Sequence, residues 1–294
     1  MFKRRRFRLR LPSRTLTLGE RTLVMGILNV TPDSFSDGGL FNDPDAAAER
    51  ALEIERQGAD ILDIGGESTR PGSEGVSASE EMRRVLPVLE KLRGRLKIPI
   101  SIDTSKSEVV EAAAYHGAEI INDVTGLRAD PRLAEIARKA KMSIILMHMR
   151  GDPRTMQKEP FAPEVMRDVR DGLRKSVAVA RRVGVPKSQI VLDPGIGFGK
   201  SLEQNFELLG RLPEFARLGF PLLLGPSRKN FVGKVLGGVP QNERVWGTAA
   251  TIVASIFGGA HIVRVHDVAE MVQVARIADA VANPRTATAR IEKK

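Results

Sequence analysis

The 294-residue chain has no cysteine, 42% hydrophobic residues and a formal net charge of +10. The missing cysteines exclude disulfides, thiolate metal sites and a cysteine nucleophile, and the length suits one core of the size an eight-stranded α/β barrel needs, about 250 residues. Six of the first ten residues are cations (Lys3, Arg4, Arg5, Arg6, Arg8 and Arg10), and subtracting them leaves only +4 on the rest, so no basic face for nucleic acid is expected.

After this basic stretch, Leu11-Pro12-Ser13-Arg14-Thr15 offers neither a sustained apolar segment nor a small-residue cleavage site. Residues 1–20 therefore read as a basic tail and a short β ribbon over a barrel floor, 21–285 as the barrel, and 286–294 as a C-terminal tail. Apolar runs continuous in Val, Ile and Leu mark parallel strands buried on both faces. In chain order they are Leu23 to Leu28, Ile61 to Ile64, Pro99 to Ile102, Ile120 to Ile121, Ser143 to Met147, Ile190 to Leu192, Pro221 to Leu224 and Ile262 to Val265. Between them the pattern predicts helices over Asp45 to Gln57, with Pro44 as a start signal, and over Glu108 to His116, capped by Ser105 or Ser107. Further helices are predicted over Pro163 to Val183, Leu202 to Leu218, Arg244 to Phe257 and Val268 to Val281.

Three strands share a Gly-Ala-x-Ile entrance, at Gly58, Gly117 and Gly259, where glycine suits the left-handed end of the preceding helix. Strand then helix, repeated, predicts an α/β fold, a TIM-type (β/α)8 barrel with a short N-terminal β ribbon. The most apolar stretch, Gly247 to Val263, falls short of the roughly 18 to 20 residues of a membrane span and is broken by Gly258, Gly259 and His261. A cytoplasmic protein without a membrane partner is expected.

Each apolar run stops at polar residues foreign to a core: Asn29, Asp63, Asp103, Asn122 with Asp123, His148, Asp193, Ser227, and Arg264 with His266. In a parallel barrel these ends share one rim. Asp103, Asn122 and Asp193 there match a flat heterocycle that donates from an exocyclic amine and a ring N–H, because buried carboxylates persist only when paired or hydrogen-bonded. The plainer reading is a set of helix caps, which suits Asp103 better than Asp193, since Pro194-Gly195 follows the latter.

Two long loops, Asn29 to Gly39 and Gly65 to Gly72, are rich in hydroxyls, carboxylates and glycine and read as a lid, although the same residues make ordinary turns. Gly195-Ile196-Gly197-Phe198-Gly199-Lys200-Ser201 invites comparison with a phosphate-binding loop but has Pro194 where its first glycine belongs. Its glycines permit close approach of a ligand, with Phe198 as an apolar wall. Ser227-Arg228-Lys229, Arg264 and His266 bring cations to the place where such barrels hold phosphate. His266 alone divides evenly between structural and ligand roles, and its neighbours favour an anion site. No cluster has zinc-ligand spacing, and Mg²⁺ fits better because it takes few protein oxygens.

Taken in order, these segments resemble the dihydropteroate synthase family of the folate pathway. The likeness rests on Met25 to Gly39 (MGILNVTPDSFSDGG), Asp63 to Gly72 (DIGGESTRPG) and Asp193-Pro194-Gly195. It is supported by Ile102-Asp103-Thr104, Ile121-Asn122-Asp123-Val124, Met147-His148-Met149 and Ser227-Arg228-Lys229. The resemblance implies condensation of a dihydropterin methyl diphosphate with p-aminobenzoate, with Mg²⁺ as cofactor, in a homodimer. It implies that Asp103, Asn122, Asp193 and Lys229 contact the pterin, with Met147 and Gly225 lining that pocket. It implies Thr69, Arg264, His266 and Asn29 at the diphosphate, Asn29 as the metal ligand, and Arg264, His266 and Lys229 as the catalytic group. Phe35, Arg70, Pro71, Phe198 and Ser227 fall where p-aminobenzoate is held. Two rival classes are a pterin-binding homologue that transfers methyl groups and a polyanion-binding protein suggested by the basic tail.

Overall fold

The computed structural model describes residues 4–31, 43–68, 72–152, 155–156 and 161–284. Most of the first predicted lid loop, with Phe35, lies outside the described residues, as do Thr69, Arg70 and Pro71 of the second and the C-terminal tail.

An antiparallel ribbon, β1 (Phe7–Arg10) and β2 (Thr15–Leu18), precedes the barrel. The barrel strands are β3 (Leu23–Asn29), β4 (Ile61–Gly65), β5 (Ile100–Asp103), β6 (Ala118–Asp123), β7 (Ser143–Met147), β8 (Ile190–Asp193), β9 (Leu223–Leu224) and β10 (Ile262–Val265). They pair in parallel in the order β8-β7-β6-β5-β4-β3-β10-β9. A further parallel bridge, Leu192 to Leu222, joins the two ends and closes the cylinder. The helices are α1 (Pro44–Arg56), α2 (Ala78–Leu92), α3 (Ser107–Tyr115), α4 (Arg132–Lys139), α5 (Val165–Arg182), α6 (Leu202–Gly210), α7 (Asn230–Val235), α8 (Val245–Phe257) and α9 (Val268–Ala282).

The expected strands are all present: three run one residue further, the fourth is longer by four, two match, the third is shifted by one, and the seventh is the shortest, Leu223–Leu224 rather than Pro221 to Leu224. The three shared entrances work as expected: Gly58, Gly117 and Gly259 have φ of +99°, +95° and +102°, values that L side chains rarely adopt. Several helix expectations need correction. The run from Leu202 to Leu218 is not one helix, because Pro213 cannot continue the hydrogen-bond ladder and the chain tightens into a 3₁₀ turn over Leu212–Leu218. Neither Ser105 nor Ser107 caps α3; instead the Ser107 N–H donates to Asp130 Oδ2 at 3.2 Å, a cap supplied from the next loop. The helices α2, α4 and α7 were not anticipated: α2 carries Pro87 in its interior, and the other two are only 8 and 6 residues long.

Strand alternation divides the apolar side chains into two cores. Val24, Leu62, Ile64, Ile102, Ile121, Ile144, Leu146, Leu192, Leu224, Val263 and Val265 point outward to the helices. Met25, Ile61, Ile120, Ile145, Val191, Leu223 and Ile262 form a separate cluster inside the cylinder, joined by Leu9, Leu11 and Leu18 of the ribbon. The ribbon is thus the plug of the barrel floor, where its leucines shield strand ends that water would otherwise reach.

The basic start is more than a solvated tail. Arg4 is buried, with its guanidinium donating to Thr22 Oγ1 and the Ala260 carbonyl at 2.7 Å each and pairing with Asp279 of α9. Asp279 also accepts from the Thr22 N–H at 2.6 Å. His261 adds a neutral link, accepting from Leu222 N–H at Nδ1 (3.1 Å) and reaching the Arg5 carbonyl from Nε2 (2.9 Å); burial pulls its pKa down to about 4. Removing one member of a buried ion pair strands the other charge. Arg4→Met is therefore expected to cost about 3 kcal/mol in urea unfolding, and a change below about 0.5 kcal/mol would show that the plug is not held by this clamp.

Candidate active site

Alternation at period two decides which polar ends enter the barrel. Asp63 lies two residues beyond the inward Ile61, Asn122 beyond Ile120, Met147 beyond Ile145, Asp193 beyond Val191, Gly225 beyond Leu223 and Arg264 beyond Ile262. Asp103 joins the same layer, in register with Gly65 on one side and Asn122 on the other. Asp123 and His148 have the opposite parity and are not part of the ring. Asp123 Oδ1 accepts from the Thr125 N–H and hydroxyl (2.8 and 2.7 Å) and Oδ2 from the Leu127 N–H (2.5 Å), so it shapes the following turn. His148 packs against Gly172 of α5, where a Cβ would come within 2.4 Å of its ring. Burial holds it neutral, with a pKa of about 2.

A cavity of about 310 Å³ opens at this rim, and its lining includes Asn29, Asp103, Phe198, Gly225, Ser227, Lys229, Arg264 and His266. Arg264 spans its floor, donating from Nε to Asp63 Oδ2 at 2.6 Å and from Nη2 to Asp103 Oδ2 at 2.7 Å. Asn122 Nδ2 shares Asp63 Oδ2 at 3.1 Å, which turns its amide oxygen away from that carboxylate. Each carboxylate keeps one oxygen, Asp63 Oδ1 and Asp103 Oδ1, buried without a hydrogen-bond partner among the described residues.

Burial raises the Asp103 pKa to about 7, with Arg264 opposing and Asp63 adding to the shift. Asp193 rises to about 6 for the same reason, opposed by the Gly195 N–H at 2.7 Å and by Lys229. Desolvation together with Arg264 lowers Lys229 to about 8. For Arg264 burial alone would lower the pKa, but its two carboxylates raise it. Asn122, Asp193 and Met147 are not among the residues lining the cavity. Met147 packs with Val124, Met149, Met156 and Phe198.

On the opposite wall the Ser227 hydroxyl and His266 Nδ1 lie 3.0 Å apart, and the His266 N–H donates to the same hydroxyl at 3.2 Å. Between Ser227 and Lys229, Arg228 has a left-handed backbone, φ +56°, a costly state for a non-glycine residue. It is held by Thr248 Oγ1 on its N–H (3.0 Å), by Arg244 on its carbonyl (3.0 Å) and by Asp267 on its guanidinium (3.0 Å). The expectation of three cations for an anion is corrected to this extent: the Arg228 charge is engaged by Asp267. Lys229 Nζ sits 3.8 Å above the centre of the Phe198 ring, a cation–π contact at the cavity edge.

Residue patterns gave no ligand role to three groups at this rim. Asp63, named as a strand end and as the start of the DIGGESTRPG segment, anchors both Arg264 and Asn122. Lys106 donates to Glu67 and Glu81 at 2.6 Å each, and Glu67, which lines the cavity, also accepts from the Val76 N–H at 2.9 Å. Lys200 is buried next to Phe198 in the chain's glycine run and lines the cavity with it. All but Lys106 and Glu81 lay in singled-out motifs, and the clamp on Glu67 joins residues remote in sequence.

The family model of the pterin-binding enzymes matches residues 25–266. A dihydropteroate synthase of Synechocystis sp. is 52% identical over 263 residues, covering 90% of this chain and 91% of the relative. Among solved structures, a dihydropteroate synthase from Clostridium difficile determined in the presence of pteroic acid superimposes with a TM-score of 0.84 at 49% identity, over 90% of this chain and 98% of that one. One from Xanthomonas albilineans with 4-aminobenzoic acid gives a TM-score of 0.88 at 42% identity, over 95% of this chain and 99% of that one. A match across the whole barrel leaves one conclusion: the chain belongs to the pterin-binding enzyme family, among its dihydropteroate synthases.

Proposed function

We propose that the cavity condenses (7,8-dihydropterin-6-yl)methyl diphosphate with p-aminobenzoate to give 7,8-dihydropteroate and diphosphate. The observation that carries this reading is Asp103 Oδ1, an acceptor of a cavity-lining residue that is buried beside Arg264 without a partner among the described residues. An unsatisfied buried acceptor is costly, and the amine and ring N–H edge of a pterin supplies the donors. In this reading Asp103, Asn122, Asp193 and Lys229 hold the pterin with Met147 and Gly225 nearby. Arg264, His266 and Asn29 face the diphosphate, and Phe198 and Ser227 receive p-aminobenzoate.

Asn29 is half-buried and lines the cavity, where it offers a neutral amide oxygen near the carboxylate of Asp103. No group of three or more His, Cys, Asp or Glu occurs there among the described residues. Such a donor set suits Mg²⁺, which takes one or two protein oxygens and completes its shell with phosphate and water. Asn29 would hold it, and bound there it would neutralise charge on the diphosphate.

The leaving diphosphate takes the electrons of the C–O bond while Arg264 and His266 balance its growing charge. Positive charge left on the exocyclic methylene spreads into the pterin ring, over the carboxylates of Asp63, Asp103 and Asp193. The arylamine nitrogen then bonds to the methylene carbon and sheds a proton. That N–H becomes acidic once nitrogen is bonded to carbon, so no strong general base is required. Phe198, backed by an apolar cluster, keeps water from the cation.

A homodimer belongs to the same proposal. Val235 and Leu236 at the end of α7 are exposed beside α8, as is Trp246 at the start of α8, and they offer an apolar face to a second copy. So does a cytoplasmic location, since a chain without cysteine needs no oxidising compartment.

Pyrophosphate release on mixing the pterin diphosphate, p-aminobenzoate and Mg²⁺ tests the reading, with each left out in turn. It should require all three, and release that ignores p-aminobenzoate would point to hydrolysis instead. Arg264→Ala is expected to lower kcat/KM by about 30- to 1,000-fold, equivalent to about 2 to 4 kcal/mol of transition-state stabilisation. An unchanged kcat/KM would remove Arg264 from the mechanism.

A further inference from the structure

The loop after β8 is built around a buried lysine amine, whose pKa desolvation lowers to about 7. Lys200 is 4% exposed, and its Nζ donates to the carbonyls of Gly195 (2.8 Å), Phe198 (2.9 Å) and His148 (3.3 Å), with His148 Nδ1 also 3.3 Å away. An ammonium has three protons, and here they meet acceptors from two loops, one leaving β7 and one leaving β8. Neutral His148 accepts at Nδ1 and directs Nε2 toward Asp168 Oδ2 at 3.5 Å.

The backbone is shaped to bring these carbonyls together. Gly195 and Gly199 have φ of +69° and +64°, and a Cβ would fall 1.8 Å from the His148 carbonyl at one and 2.3 Å from the Arg150 carbonyl at the other. Between them Gly197 donates its N–H to Asn205 Oδ1 of α6 at 2.6 Å, and Phe198 N–H reaches the Gly195 carbonyl at 3.2 Å. Burying a charge only to fill space would be wasteful, since an apolar side chain of similar volume fills it at lower cost.

We propose that Lys200 is a positioning residue: its ammonium draws the His148, Gly195 and Phe198 carbonyls into one knot and so sets the Phe198 ring as the wall of the p-aminobenzoate site. The proposal rests on the reading of Phe198 given above. It accounts for two features the condensation itself leaves unused, the glycine run that fails as a phosphate loop and the buried His148. It also explains why the Phe198 ring holds its place under Lys229.

Four variants test it. Lys200→Met should raise KM for p-aminobenzoate about tenfold or more and leave kcat and pterin affinity within about twofold. Phe198→Ala should raise the same KM, and Lys200→Met added to it should have little further effect, because residues acting through one another are non-additive. An unchanged KM in Lys200→Met, or full additivity in the double variant, would overturn the proposal. An unchanged KM in Phe198→Ala would instead sink the reading of the arylamine site. The chain has no other cysteine, so Lys200→Cys can be alkylated with 2-bromoethylamine in denaturant and refolded, which restores an ammonium on a stem of nearly the same length. Recovery of the KM supports the proposal even if Lys200→Met does not fold, and failure to recover it counts against it.

Discussion

Arg264 lies across the floor of the barrel mouth between two buried carboxylates, and the rest of the site is arranged around that bridge. Asp63 and Asp103 could not both sit inside a cylinder of aliphatic side chains without a cation, since an unpaired buried charge is far more costly than a paired one. The bridge satisfies one oxygen of each and leaves the other buried without a partner among the described residues. Through Asp63 it also fixes the Asn122 amide. A single guanidinium thus ties two buried carboxylates together and, through one of them, orients an amide at the barrel mouth.

That bridge exists because parallel strands in register bring every second residue to one axis. The inward layer below it is apolar and plugged by the ribbon leucines, while the layer above is polar, so the barrel changes from core to site within one alternation of the pleat. The strain in the site is local and well supported: the left-handed Arg228 is held by three separate side chains, and this turn presents Ser227 to His266 and Lys229 to the Phe198 ring.

Much of this was legible in the residues. Continuous aliphatic runs with polar ends gave the strands, and those ends placed Arg264 and His266 on one rim with Asn29, Asp103 and Ser227. The register was not legible. Asn122 and Asp123 are adjacent, and only the pairing of β6 with its neighbours decides that the first enters the barrel and the second caps a turn. Contacts between distant segments were equally hidden: Asp130 capping α3, Arg4 clamping α9, Lys106 gripping Glu67. Pro87 hid α2, because a proline in a helix interior is tolerated only where tertiary packing outweighs its cost. Lys200 stood in a glycine run whose likeness to a phosphate loop drew attention to the backbone and away from the ammonium that organises it.

The central claim is that the carboxylates at the mouth wait for donors from the ligand. Asp103 and Asp193, raised by burial to about 7 and 6, are partly protonated near pH 6.5. A pterin that donates to them stabilises the ionised form, lowers those pKa values and expels protons, so affinity strengthens as pH rises through this range. Calorimetry of pterin binding at pH 6.5 in buffers of different ionisation enthalpy measures this directly. Net proton release that shrinks in Asp103→Asn is the predicted result, and binding with no proton release or with uptake would contradict the account.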